Sequence, residues 1–72
     1  MDNKTLKFLR EDLIGELEAI NQYQDHIDET DNEEVKHLLT HIMIEEKEHV
    51  AEIVKLLRKL DSDQDKKFQE EG

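Results

Sequence analysis

Apolar residues recur along two long stretches of this chain with the three-and-four spacing of amphipathic helices. In the second stretch Val35, Leu39, Ile42, Glu46, His49, Ile53, Leu56 and Leu60 alternate steps of four and three, one row on a helix of 3.6 residues per turn. In the first, Leu9, Leu13, Glu16, Ile20, Tyr23 and Ile27 obey the same rule, preceded by Leu6, with Ile14 and Leu17 widening the apolar side. The pattern predicts helix one over about 5–29 and helix two over about 32–60. Residues 1–4 read as a frayed start, with Asn3 or Thr5 placed to cap helix one. The link Thr30-Asp31-Asn32-Glu33-Glu34 reads as a tight turn, and Thr30 with Glu33, or Asp31 with Glu34, has the spacing of a capping box. So short a link leaves no chain to carry helix two elsewhere, so the helices form an antiparallel hairpin. After Leu60 the chain turns polar. Asp61 or Ser62 suits the cap of a short third helix whose one apolar residue is Phe68, and the same composition also suits a disordered tail.

Each apolar row is interrupted at its middle by an acid, Glu16 in the first and Glu46 in the second, and the second also carries His49. A carboxylate in a packed seam costs several kcal/mol unless a cation or a strong hydrogen-bond network compensates it. Glu16 stands about 14 residues before the turn and Glu46 about 16 after it, so at 1.5 Å per residue both lie roughly 20 Å from the turn and level with each other. One hairpin then supplies a Glu from one helix and a Glu-x-x-His from the other. Four-helix carboxylate-bridged di-iron centres use two such sets, as two copies of this hairpin across a two-fold axis would provide. The same pairing would bury the stripe that a lone hairpin leaves half exposed. The expected fold is therefore all-α, one domain over residues 1–72, an antiparallel hairpin dimerising into a four-helix bundle.

Composition narrows the field. At 72 residues the chain is near the lower limit for a self-sufficient core, so help from self-association or a metal is expected. It has no cysteine, which excludes disulfides and thiolate sites, while two glycines, no proline and 42% charged residues suit long helices. A net charge of −10 speaks against nucleic acid and anionic membrane surfaces as partners and for cations. No run approaches the roughly 18 consecutive apolar residues of a membrane span, and the first residues lack the apolar core of a secretory signal, which makes the cytoplasm the default address.

Among the other candidates, Glu45 rivals Glu46, since it stands four before His49. Glu46 is preferred because it continues the row from Leu39 through His49, whereas Glu45 falls with His41 and Glu48 on a flanking face. Those three suit a labile divalent cation at the surface or plain solvation, as do His37 and His41, and His26 lies off the row. Tyr23, seven after Glu16, suits either core packing or a hydrogen-bonding or redox role beside a metal. Glu18 points away from Glu16 and reads as a surface acid or as part of a cation access path. Gly15 costs on the order of 1 kcal/mol of helix propensity relative to alanine, which close approach of a neighbour would explain.

Glu16-Leu17-Glu18-Ala19-Ile20-Asn21-Gln22-Tyr23, then Thr30-Asp31, His41 and Glu45-Glu46-Lys47-Glu48-His49-Val50, over roughly residues 10–60, resemble the encapsulated ferritins, short ferritin-like proteins housed inside encapsulin shells. The resemblance implies a two-helix protomer that becomes a ferroxidase only as a dimer, with dimers joining into a ring, a decamer, inside the shell. It makes Glu16, Glu46 and His49 iron ligands, sets Tyr23 beside the centre and Glu18 on the metal's access route. Two departures stand out: Gly15 where some members have an acid, and Gln22 where some have tryptophan. The chain also stops at Gly72 without a recognisable encapsulin-targeting tail, which fits a piece of a longer chain, such as one fused to its shell protein.

The first functional expectation is thus a ferroxidase in which Glu46 bridges two irons and Glu16 and His49 terminate them, with ferric iron passed on for storage in a shell. A second keeps the di-iron centre for peroxide reduction, as in rubrerythrin-like proteins, although the chain has no Cys-x-x-Cys electron-transfer site. A third is a non-catalytic oligomerisation module whose Glu/His layer sets register, as buried polar residues can.

Overall fold

Three helices follow one another: α1 over Asn3–Glu29, α2 over Glu33–Leu60 and α3 over Ser62–Glu71, in a computed structural model that describes residues 2–72. α1 and α2 pack antiparallel as a hairpin, and α3 packs on α2. The hairpin and the short third helix are therefore as the pattern predicts, and within the polar tail Ser62–Glu71 is helical rather than disordered.

The ends differ from expectation for reasons of capping. α1 starts two residues early because Asp2, not Asn3 or Thr5, is its N-cap; the Asp2 carboxylate accepts from the Thr5 backbone N–H at 2.8 Å. Of the residues expected to fray, Asn3 and Lys4 are thus helical, while Met1 lies outside the described residues. α2 is capped by Asn32, whose side-chain oxygen accepts from the Val35 N–H at 3.0 Å, so neither capping box forms. Asn is a stronger N-cap than Thr, and starting at Glu33 frees the Thr30 hydroxyl to accept from the Asn32 N–H and tie the turn. Replacing Asn32 with alanine is expected to cost about 1 kcal/mol, read as a lowered thermal midpoint by circular dichroism.

Asp61 ends α2 and begins α3. Its N–H donates to Leu57, while its carboxylate accepts from the Gln64 N–H and from Arg10 of α1 at 3.0 Å. Arg58 then holds α3 from outside, bonding Asp65 and lying 4.8 Å from the Phe68 ring centre. The Gln64 N–H, and after it the Arg10 guanidinium, hold the Asp61 carboxyl below the usual carboxylate range. A group with a depressed folded-state pKa stabilises at pH above its unfolded value and loses that contribution as pH falls through the folded one. α3 is therefore expected to stay docked at neutral pH and to detach only below the ordinary carboxylate range, seen as accelerated amide exchange across residues 62–71.

The inward row of α2 is not the one the sequence pattern singles out. Met43 and Leu57 are its buried residues, and Val50 is half-buried, while Val35, His49 and Leu56 are exposed. Both rows obey the same spacing, and they share Leu39, Glu46, Ile53 and Leu60. One facing helix covers only one flank of a broad apolar arc, and α1 covers the flank of Met43, Val50 and Leu57. The other row is left on the outside, with Glu46 on the boundary. On α1 the expected row is the one that turns inward, with Leu6 buried and Ile14 and Leu17 exposed.

Candidate metal centre

Glu16, Glu46 and His49 come together as one cluster. Glu46 and His49 are brought to the same side of α2 by their three-residue spacing, and the hairpin sets Glu16 of α1 opposite them. The His49 Nδ1 lies 3.4 Å from Glu16 Oε2 and 3.4 Å from Glu46 Oε2. One ligand atom from each of the three lies within 4.8 Å of the others, the one such group of three among the described residues.

Burial grades across the cluster. Glu46 keeps 18% of its side-chain exposure, Glu16 25% and His49 47%, so the acids are rooted in the hairpin and the imidazole opens outward. Two carboxylates facing each other across a helix pair repel, and the one imidazole stands between them. The donor set, carboxylate oxygen plus imidazole nitrogen without thiolate, fits iron or manganese rather than a thiolate-seeking metal. Three side chains leave a metal ion short of a full ligand set, and the open side is the exposed edge of His49.

Beyond Glu45 and Glu52, one turn to either side of His49, that edge becomes apolar. Leu38 is 56% exposed and Phe8 51%, with Val35 and Leu56 also uncovered, and the helical repeat sets them on the same side of the hairpin as His49. Ile14, Leu17 and Ile44 are as exposed elsewhere on the hairpin, so the incomplete ligand set, rather than exposure alone, distinguishes this side.

Residues 1–71 match the EncFtn-like family. The chain belongs to that family. It is 44% identical over 63 residues to the encapsulin nanocompartment cargo protein EncC of Myxococcus xanthus (strain DK1622), a match covering 88% of this chain and 48% of that protein. It is 46% identical over 56 residues to EncB, a cargo protein of the same organism, covering 78% and 35%. A ferritin-like–encapsulin shell fusion protein of Pyrococcus furiosus is 39% identical over 59 residues, covering 82% of this chain and 17% of the fusion. The chain thus spans about half the length of EncC and less of the others.

The remaining candidates in this EncFtn-like chain stand apart from the cluster. Tyr23 is half-buried on α1, two turns beyond Glu16, and Glu18 is exposed. His41 Nε2 lies 3.0 Å from Glu45 Oε1 on the outer face, both side chains well exposed, with Glu48 exposed nearby and His26 and His37 in solvent. Gly15 has open space where a Cβ would stand, so no neighbour within the chain explains its glycine. No helix among the described residues is long and apolar enough to cross a membrane.

Proposed function

We propose that this chain is a ferroxidase that works as a pair, with Glu16, Glu46 and His49 of two copies together holding two ferrous ions as substrate. When bound, the two ions supply one electron each to dioxygen or peroxide and leave as ferric iron. The single observation that carries this reading is the position of the cluster: two acids and an imidazole with converging ligand atoms, placed where the hairpin interior meets an uncovered apolar face. Pairing across that face would build a ferritin-like four-helix bundle and double the ligand set to four carboxylates and two imidazoles.

In this reading the carboxylates of Glu16 and Glu46 offset the positive charge of the ions, and the helix packing beneath them fixes their separation. His49 supplies a neutral nitrogen donor, and the Glu46 carboxylate 3.4 Å from its Nδ1 orients the ring. Tyr23 is proposed as a positioning or electron-donating residue on the inner side, and Glu18 as an acid on the cation's access path. The relatives' descriptions as encapsulin cargo and as a shell fusion support a place inside an encapsulin compartment in the cytoplasm, with the shell receiving ferric iron for storage. A hairpin of 45 × 27 × 14 Å encloses no storage cavity itself, even when several copies close into a ring such as a decamer.

Anaerobic ferrous titration read by native mass spectrometry tests the reading. Two irons per pair of chains, present only in dimers or larger even assemblies, is the expected result. An assembly indifferent to iron, with no stoichiometric iron bound, would overturn it in favour of a structural oligomerisation module.

A further inference from the structure

Three of the chain's four histidines lie on α2, and two of them, His37 and His41, have no part in the cluster. They stand four residues apart, which on a helix sets two side chains one turn apart on the same side. At 3.6 residues per turn they lie roughly 180° and 140° round the helix from Glu46, on the side turned away from α1. Both are exposed. An ion held there would share no ligand with Glu16, Glu46 or His49.

The surroundings prepare the two rings differently. His41 Nε2 lies 3.0 Å from Glu45 Oε1 on the next turn, with side-chain exposures of 69% and 52%. An ionised carboxylate only accepts, so in a neutral ring this contact holds the proton on Nε2 and leaves the lone pair on Nδ1. That is the arrangement in which a carboxylate orients a metal-bound imidazole from its far side. His37 is in no ion pair among the described residues, so nothing of that kind competes for its ring. Imidazoles at i and i+4 are the pair that His-Glu-x-x-His zinc helices place on one ion. A net charge of −10 also raises the concentration of divalent cations around the chain.

We propose that His37 and His41 form a second metal site, for one divalent ion of the zinc, copper or nickel class per chain. Glu45 acts there as a positioning residue that orients His41, and water fills the open side of the ion. The donor sets of the two sites differ. Imidazole suits zinc, copper and nickel, whereas the cluster offers two carboxylates to one imidazole and favours harder ions. The outer pair therefore takes up zinc-class ions and leaves the ligands of the cluster free. It stands whether or not the cluster is a ferroxidase.

Calorimetric titration with zinc chloride tests the site in Glu46→Leu, a background in which the cluster is broken. One zinc per chain is expected. Adding His37→Ala should weaken it on the order of 100-fold, and adding Glu45→Ala instead should weaken it about tenfold, the range spanned by losing a ligand or its orienting partner. Nitrogen-15 spectra of the rings separate positioning from mere packing: zinc should shift His37 and His41 together and leave His26 unmoved, and metal-free His41 should lose its Nε2–H preference in Glu45→Ala. All these side chains are exposed, so far-ultraviolet circular dichroism should stay helical throughout. Zinc binding that His37→Ala leaves unchanged, or no zinc bound at all, overturns the proposal. So does loss of zinc in Glu48→Ala, which would put the ion on the other flank of His41. The ferrous stoichiometry of the unaltered chain judges the ferroxidase reading separately.

Discussion

Replacing Glu46 with alanine is expected to remove rapid ferrous oxidation while leaving the helices intact, and replacing His49 is expected to do the same. The loss should be on the order of 100-fold or more, since changing residues that merely orient metal ligands already costs about 10–100-fold. Alanine is the better helix former, and Glu46 makes no contact beyond the cluster that the fold is shown to need. Far-ultraviolet circular dichroism should therefore be unchanged while initial oxidation rates collapse. Glu45→Ala is the control, because Glu45 pairs with His41 on the outer face and stays outside the cluster. Undiminished rates in the Glu46 and His49 variants together would sink the assignment.

Glu46→Leu should raise the thermal stability of the metal-free chain. The carboxylate lies largely within the packed boundary, level with Glu16, and is compensated only by the half-exposed His49. Exchanging such a group for an apolar one of similar volume is often stabilising, and about 1–2 kcal/mol is the scale expected here. For a chain of this size that corresponds to roughly 4–16 °C in the midpoint, at about 4–8 °C per kcal/mol. A melt in the presence of chelator reads it directly. The same variant should bind no stoichiometric iron, so stability and iron binding move in opposite directions. A fall in midpoint would mean that Glu46 is structurally satisfied without metal.

The pairing of Glu16 with Glu46 and His49 was legible before any coordinates because it depends on two things a linear chain specifies: helical period and distance from a short turn. The choice between Glu45 and Glu46 followed from the same period, and the structure clusters Glu46 with the other two. The helix ends were less legible. Asp2, Thr5, Thr30, Asp31 and Asn32 are all competent near a cap, and which one serves depends on hydrogen bonds only a few tenths of a kcal/mol apart. Asp61 shows the limit most clearly. It was a candidate cap for a third helix, but Arg10, 51 residues away in sequence, also bonds it, and no local pattern announces that contact.

By itself the sequence determined the fold class, the hairpin, and the level at which two acids and an imidazole meet, since these rest on local periodicity and the shortness of residues 30–32. Only the tertiary structure decided which side of α2 turns inward. Two rows of equal spacing overlap on that helix, sharing Glu46, and nothing local separates them. α1 has one apolar stripe and fits against the row of Met43, Val50 and Leu57, which leaves His49, Leu56 and Val35 facing out. Packing between helices resolves what periodicity leaves degenerate, because two cylinders can bury only one strip of each other at a time.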